Sequence, residues 1–345
     1  MLDPRYAYIS AYLKAGETKV ITSKHLNRML GISNIHDIKS IIRETEIGNY
    51  LEGISLNNFN DLDQSLWRYF VHCLNEVESF DFLPRDIKRL PNVYIEKYDV
   101  ANIKAAVQAM GSTNNRNQII PVGVIHDNDL LDQLFCAENI ADISELLMRS
   151  RLAHYIPIIE DFEPDDSTKS RLLLGARLDG EYFRVMMDMA SEIREGETLA
   201  QAIGLIVDLT NLQIVARAII DGIGTEVADY TIPGGYIITD KTIRDLLEVK
   251  IADLPIRLEG SKYYDIAKEL SDGFERTKRV TIINDILETY KFKLLKESLS
   301  PTVLSPLVMV WYLILKETEI RNLRIIFRAI YDNISVEEIK RYLVF

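Results

Sequence analysis

Apolar residues recur three and four positions apart along most of this chain, which predicts amphipathic helices rather than strands. The segment that begins at Asp37 shows this spacing with Ile38, Ile41 and Ile42. A longer helix is predicted over residues 61–77, and another from Pro306 through an apolar run and on past Asn322. The pattern therefore favours an all-α fold.

Proline, glycine and polar clusters divide these helical segments. The first helix is predicted over residues 5–14, and Pro91 is predicted to break the chain ahead of a helix over residues 100–110. The polar stretch 111–118 is a predicted loop and a natural boundary. Ser335 is predicted to open the last helix with a capping box.

Two short signatures alternate along the chain and occur three times each, about 110 residues apart. One is an Ile-x-Asp step followed by Ile or Leu, with its acids at Asp37, Asp142 and Asp253. The other is an acid-x-x-Asn step followed by an aliphatic residue, and its copies are Asp99 with Asn102, Asp208 with Asn211, and Glu319 with Asn322. Residues 208–219 and 319–330 are identical at six of twelve positions.

A fixed period of this kind indicates one structural unit built several times. We therefore predict three similar helical sub-domains, with helical repeats at residues 1–117, 118–228 and 229–345. A protein with such a threefold repeat usually acts on a partner that lies on or near the repeat axis.

The acid-x-x-Asn step places its two polar side chains on one helical face, one turn apart. Three such pairs could form a symmetric binding ring. The interpretation we favour is structural, with the asparagine amide satisfying backbone groups where helices meet an irregular connection. The acids of the Ile-x-Asp steps are likewise predicted to lie at helix starts, where a carboxylate offsets the helix dipole.

Composition narrows the classes of function. Apolar residues make up 47% of the chain, which is enough for a real core, and the net charge of −12 argues against a nucleic-acid partner. Two cysteines without a CxxC pattern favour a reducing cytoplasm. The longest apolar run is nine residues, well under the roughly 20 needed to span a bilayer, so membrane association is expected through a partner.

The chain carries none of the sequence motifs expected of a nucleotide site, a serine nucleophile or a zinc site. His126 with Asp127 and Asp129 could chelate a cation, but a polar helix cap is the favoured interpretation. We therefore predict no catalytic residue, no cofactor, no metal and no small-molecule substrate. Two aromatic clusters are predicted to be core or helix-packing residues: Tyr6, Tyr8 and Tyr12; Trp311 and Tyr312.

Three stretches resemble the C subunit of the archaeal and bacterial A/V-type (vacuolar-type) ATPases, which is related to the d subunit of the eukaryotic V-ATPase. They are Tyr6-Ala7-Tyr8 with residues 44–48, the Ile-Pro-Gly-Gly segment at residues 232–235, and residues 316–324 through 335–339. The likeness covers essentially the full length. The family tends to have Arg at the place of Tyr12 and Gly-Lys at the place of Ala329 and Ile330, so a role for that lysine is not carried over.

This resemblance implies a non-catalytic rotor part with three similar domains in a pseudo-threefold funnel. Its narrow face would rest on the membrane proteolipid ring, and its socket would receive the central shaft, subunits D and F. ATP would be handled by other subunits, and the chain would lie peripherally on the cytoplasmic side of the membrane. Near the repeat axis, Arg217 and Arg328 are the predicted shaft-binding residues.

Two other classes of function stay open at this point. A free-standing helical-repeat scaffold could bind a peptide or helix in its concavity. An enzyme with an unrecognised site would need convergent titratable groups in a pocket, for which the sequence gives no indication.

Overall fold

The computed structural model describes residues 6–32, 35–54, 58–80, 83–110, 119–162, 167–193 and 196–344. Within these ranges the chain forms helices, turns and loops and no β-strand, which confirms the predicted all-α class. Contacts divide it into two compact units, Met1–Pro91 with Glu288–Phe345, and Asn92–Leu287. The boundaries fall inside two helices, α7 (Leu90–Ala109) and α17 (Thr281–Leu299).

The first unit is built around α18 (Leu307–Tyr331), which packs against α5 (Phe59–Glu78) and α1 (Ala7–Glu17). The apolar run predicted from sequence forms the first turns of α18 and is buried. The shorter helices of this unit are α2 (Ser23–Met29), α3 (Ile35–Ile42), α4 (Glu46–Leu51), α6 (Arg85–Lys88) and α19 (Val336–Lys340).

The second unit is centred on a pair of long helices, α12 (Thr168–Glu192) and α13 (Gly196–Ile220). Its first short helices are α8 (Val124–Asp127), α9 (Leu131–Phe135), α10 (Ile140–Arg149) and α11 (Ile156–Glu160). Those after α13 are α14 (Asp240–Leu247), α15 (Leu254–Arg257) and α16 (Tyr264–Thr277). Short 3-10 turns lie at Ala153–Tyr155, Thr225–Tyr230 and Ile251–Asp253.

Helix α13 alone among the described helices is long and apolar enough to cross a membrane by length and composition. However, 67% of its most apolar window is buried inside the protein. Apolar side chains cover every face of this helix because it is enclosed by other elements, as expected for a core helix. Its hydropathy is therefore explained by packing.

Helix starts follow local capping chemistry. The side chain of Asn58 accepts from the backbone N–H of Asp61 at the start of α5. Asn139 and Asp142 form a reciprocal capping box at α10. Asp37 lies in the first turn of α3, and Asp253 is the N-cap residue of α15. The Ile-x-Asp signature therefore does mark helix starts, as its chemistry predicts.

Two local predictions were wrong, and a third was confirmed only in part. Pro91 does not break the chain, because it is the second residue of α7, where a proline removes no intrahelical hydrogen bond. Ser335 occupies the N-cap position of α19, but its side chain makes no capping bond. Tyr8 and Tyr12 are not core residues, with 62% and 42% of their surface exposed, but both rings pack edge-on against Phe80, so they are packing residues as the prediction also allowed. The other predicted aromatic core residues, Tyr6, Trp311 and Tyr312, are buried.

Candidate functional site

Each long helix that carries an acid-x-x-Asn step uses the asparagine to hold one residue of a distant loop. Asn102 of α7 donates to the carbonyl of Ile120 and accepts from its N–H, both at 2.9 Å. Asn211 of α13 makes the same two bonds with Ile232, both at 2.8 Å. Asn322 of α18 makes them with Val344, at 2.7 and 2.9 Å.

The acid of each step also holds a loop through backbone N–H groups. Asp99 accepts from Val124 and Ile125 at 2.8 and 2.9 Å. Asp208 accepts from Ile237 and Ile238 at 2.8 and 3.1 Å. We call each acid and asparagine, with the backbone groups they hold, a clasp: clasp 1 for Asp99, clasp 2 for Asp208 and clasp 3 for Glu319.

Clasp 3 has a different second partner from the other two. Glu319 accepts from the backbone N–H of Ile21 at 2.6 Å, near the opposite end of the chain. In clasps 1 and 2 the acid and the asparagine hold neighbouring residues of one loop. In clasp 3 they hold two segments, around Ile21 and Val344, that are separated by most of the sequence.

Glycine permits the close approach in clasps 1 and 2. A Cβ atom on Gly123 would lie 2.5 Å from Oδ1 of Asp99, and one on Gly235 would lie 2.2 Å from Oδ1 of Asp208. Gly123 also has a φ of +114°, which side-chain-bearing residues rarely adopt. Each glycine ends a Pro-x-Gly stretch, at residues 121–123 and 233–235, and these two stretches bring backbone amides onto a buried carboxylate.

The clasp carboxylates titrate in unusual surroundings. Burial raises the pKa of Asp99 to about 7, although the two backbone hydrogen bonds oppose this effect. Burial likewise raises the pKa of Asp208, whose Oδ2 also accepts from the hydroxyl of Tyr263 at 2.6 Å. Both carboxyl groups are committed to amides and hydroxyls of this chain, so their arrangement serves to hold segments together.

Clasp 3 contains a fully buried lysine, Lys316, one turn before Glu319 on α18. Its Nζ lies 3.3 Å from Glu319 Oε2 and donates to Glu46 Oε2 at 2.6 Å and to the hydroxyl of Tyr69 at 2.8 Å. Burial alone would lower the pKa of Lys316, but the carboxylates of Glu319 and Glu46 raise it above its ordinary value, so the ammonium stays charged.

Sequence reasoning missed Lys316, Glu46 and Ile21 as parts of the third clasp. The lysine could have been singled out from the sequence. Glu96 and Leu205 lie three residues before Asp99 and Asp208, so only the third copy has a cation at this position. A lysine in an otherwise apolar stretch is expected to have a buried acidic partner. No local pattern indicated Ile21.

The two predicted shaft-binding arginines have different environments. Arg328 is exposed, pairs with Asp332 at 2.5 Å and lies over the ring of Phe59. Arg217, near the end of α13, has a buried Nε that finds no hydrogen-bond acceptor within the described part of the chain. They belong to different compact units, and their shaft-binding role stays a prediction.

No metal-binding group is present among the residues that the structure describes, since nowhere do three His, Cys, Asp or Glu side chains converge. His126, Asp127 and Asp129 lie at the short helix α8 and the turn that follows it. The described polar groups that are most buried belong largely to the clasps.

Comparison with known proteins identifies the family to which the chain belongs. The family described as ATP synthase (C/AC39) subunit matches residues 9–342. The chain is 22% identical to the C subunit of the A-type ATP synthase from Methanocaldococcus jannaschii, over 98% of this chain and 86% of that protein. The protein of the same name from Methanobrevibacter smithii is 27% identical, over 94% and 84%. That from Pyrococcus abyssi is 23% identical, over 97% and 89%. The chain therefore belongs to the ATP synthase (C/AC39) subunit family, as the sequence resemblance indicated.

Proposed function

We propose that this chain is a non-catalytic central-rotor subunit of an A/V-type rotary ATP synthase. In this role it couples the central shaft, formed by subunits D and F, to the membrane proteolipid ring. The observation that carries the proposal is the family match over residues 9–342, which takes in both compact units. ATP chemistry would belong to other subunits of the complex.

The construction of the chain suits the transmission of torque. Its long helices are tightly packed, and close-packed interiors are weakly compressible and transmit strain. Each clasp ties a long helix to a distant segment through hydrogen bonds that are buried or partly buried. Such bonds resist slippage because breaking them would leave buried backbone groups unsatisfied.

The proposed arrangement is three similar repeats, at residues 1–117, 118–228 and 229–345, in a pseudo-threefold funnel. It is supported by the recurrence of one clasp geometry at Asn102, Asn211 and Asn322. The proposed location is the cytoplasmic side of the membrane, peripheral and held through the complex. The burial of the one described apolar helix long enough to span a bilayer supports a peripheral location.

Of the two arginines, Arg217 is the stronger candidate for a shaft contact. Arg217 is half-buried, and its guanidinium makes no ion pair within the described part of the chain, so its charge is available to an acceptor on a partner. Arg328 already has a carboxylate partner in its own helix. We therefore propose that Arg217 contacts the shaft and that Arg328 contributes less.

The test is purification of the tagged chain from cells that also produce subunits D and F and the proteolipid. We expect all of them to co-purify from detergent extracts, with the chain placed between shaft and ring in a low-resolution map. A chain that purifies alone, or that captures only an unrelated helix or peptide, would favour the free-standing scaffold.

The matched variants are Arg217→Ala and Arg328→Ala. We expect Arg217→Ala to weaken shaft binding about tenfold, which corresponds to about 1.4 kcal/mol, and Arg328→Ala to change it less. The dissociation constant for purified D and F is the measurement. Equal and unchanged binding in both variants would remove both residues from the shaft contact while leaving the rotor role to the co-purification result.

A further inference from the structure

Two exposed tyrosines lie side by side on the outer face of α1. The rings of Tyr8 and Tyr12 are nearly parallel, and their centroids are 6.3 Å apart. Both rings lie edge-on against the buried ring of Phe80, at 6.1 and 5.6 Å between centroids. This packing positions the two tyrosines, while each keeps a large part of its surface in contact with water. We call Tyr8, Tyr12 and Phe80 the aromatic patch.

The carboxylate of Glu76 on α5 lies at the edge of the aromatic patch. Its Oε1 accepts from the hydroxyl of Tyr12, and its Oε2 accepts from the hydroxyl of Tyr312 at 3.2 Å. The hydrogen bond to Glu76, together with burial, raises the pKa of Tyr12 to about 12, so this hydroxyl stays protonated and donates. His72, one turn before Glu76, stacks against Tyr50 instead. Because both donors are neutral hydroxyls, the negative charge of Glu76 remains in place.

This charge has no cationic partner within the described part of the chain, where no ion pair includes Glu76. Lys316 is the cation of the neighbouring polar cluster, but its ammonium pairs with the carboxylates of Glu46 and Glu319. Among the described residues, three carboxylates in this part of the first unit therefore share one ammonium. Glu76 is partly buried, so a cation supplied from outside would be attracted more strongly than at a fully solvated acid.

A cation at this place would meet aromatic ring faces as well as carboxylate oxygens. Ring faces attract cations, and a carboxylate that accepts from two hydroxyls still has lone pairs for further N–H donors. A guanidinium satisfies both, because its planar face stacks on a tyrosine ring and its edge presents several donors in a fixed fork. The ammonium of a lysine has no planar face, and a choline headgroup has no N–H donor. Arginine and tyrosine are also enriched at protein interfaces.

We propose that the aromatic patch and Glu76 form a docking site for an arginine side chain of a partner protein. Glu76 binds the edge of the guanidinium, and Tyr8 and Tyr12 contact its face. The site lies in the first unit, whereas Arg217 lies in the second, so it does not depend on the proposed shaft contact of Arg217.

Saturation-transfer NMR on the full-length chain tests the chemistry of the site, with N-acetylarginine amide as the probe. We expect saturation transfer to this probe, and binding at least about threefold weaker for N-acetyllysine amide and for phosphocholine, since each offers only part of the contact. Absence of transfer to the arginine probe, or equal binding of all three probes, would overturn the proposal. A preference for phosphocholine would also overturn it and would point to a membrane headgroup instead.

Variants with matched controls test the assignment of the residues. We expect Glu76→Gln to weaken binding of the arginine probe about fivefold or more, because the charge is lost. Tyr8→Ala should weaken it about two- to fivefold, as expected for one cation–π contact at an exposed site. The controls are Glu52→Gln at an exposed acid and Tyr236→Ala at an exposed tyrosine that already has Lys262 within 5.9 Å of its ring. Circular dichroism checks that each variant is folded. Equal binding by the test variants and the controls would rule out this site.

A photoreactive amino acid at position 8 tests for the partner in cells. We expect it to crosslink to an arginine-containing segment of another protein, and replacement of that arginine by alanine to reduce the crosslink at least about fivefold. A crosslink that persists after every arginine of the segment is replaced would contradict the proposal, as would the lack of any crosslink to another protein.

Discussion

At the scale of single residues, the clasp asparagines show how one side chain can satisfy a whole peptide unit. Each uses its amide N–H and its carbonyl oxygen on the N–H and C=O of one residue. These two hydrogen bonds resemble those between paired residues of neighbouring strands in a β-sheet, except that a side-chain amide takes the place of one of the two backbone residues. At Asn211 both bonds are buried, so water cannot replace them when the side chain is removed.

We expect Asn211→Ala to lower the free energy of unfolding by about 2–4 kcal/mol, since it leaves both backbone groups of Ile232 buried without a partner. Urea denaturation followed by circular dichroism is the measurement. The control is Asn75→Ala on the exposed face of α5, which should stay within about 0.5 kcal/mol of the unsubstituted chain. Equal effects of the two substitutions would contradict this account of the clasp.

The carboxyl group of Asp99 predicts a pH dependence. Its pKa is about 7 in the folded chain, above the ordinary value of 3.8, so folding favours the protonated form. The stability it contributes is therefore complete below about pH 4 and is lost as the pH rises through 7. Between pH 5 and pH 8 we expect Asp99 to account for a loss of about 2–3 kcal/mol.

Asp99→Asn isolates this contribution, because other acids with raised pKa values, such as Asp208, remain in the variant. The variant is expected to be less stable at pH 5, since an amide nitrogen faces a backbone donor. Its free energy of unfolding should nevertheless change less between pH 5 and pH 8 than that of the unsubstituted chain. Parallel pH profiles for the two proteins would rule out titration of Asp99 in this window.

At the scale of elements, a clasp needs both a helix and a loop that can approach it. Helices α7, α13 and α18 present the acid and the asparagine one turn apart, and in clasps 1 and 2 the Pro-x-Gly loops bring the amides within hydrogen-bond distance. The glycines are thus part of the element contact. Glycine is needed at position 235 because a Cβ atom would clash with Asp208. At position 123 it is needed both for that steric reason and because the backbone has a positive φ.

We expect Gly235→Ala to destabilise the chain by about 1–3 kcal/mol, because its Cβ would lie 2.2 Å from Oδ1 of Asp208 and would force the loop off α13. Gly53→Ala is the matched control, since a Cβ there meets nothing within 4 Å. Thermal unfolding of the two variants side by side is the measurement. If both shift the midpoint equally, the tight approach at clasp 2 has no energetic role.

At the scale of the whole molecule, a helix can pass the length and hydropathy test for a membrane span and still lie mostly inside the protein. Helix α13 meets that test, yet most of it is enclosed by other elements of its unit. A spanning helix would have to expose this surface to lipid and lose its packing, including the clasp at Asp208 and Asn211.

We therefore expect the chain, produced without any of its partners, to remain in the supernatant after carbonate extraction of membranes. Immunoblotting of pellet and supernatant is the measurement, with a known spanning protein of the same host as the control. Recovery of the chain in the carbonate-resistant pellet would contradict both the core assignment of α13 and the proposed peripheral location.

The sequence by itself determined the helical class, the period of about 110 residues, the family, and the acid and asparagine of each clasp. These properties are local, because apolar spacing, helix caps and an acid one turn from an asparagine are set by neighbours along the chain. The hydrogen bonding of the asparagines to irregular connections was anticipated on the same basis. The limits of the three repeats remain a prediction.

Only the tertiary structure decided what each clasp holds. Nothing near Glu319 in the sequence indicates Ile21, and nothing near Lys316 indicates Glu46, because the pairs are brought together by packing of helices distant along the chain. The exposure of side chains was also decided by the tertiary structure. Tyr8 and Tyr12 are aromatic and were expected to be core or packing residues, but they lie on the outer face of α1. A local sequence pattern indicates which polar groups will need partners. The tertiary structure determines which partners they have, because burial and long-range contacts depend on how all the helices pack together.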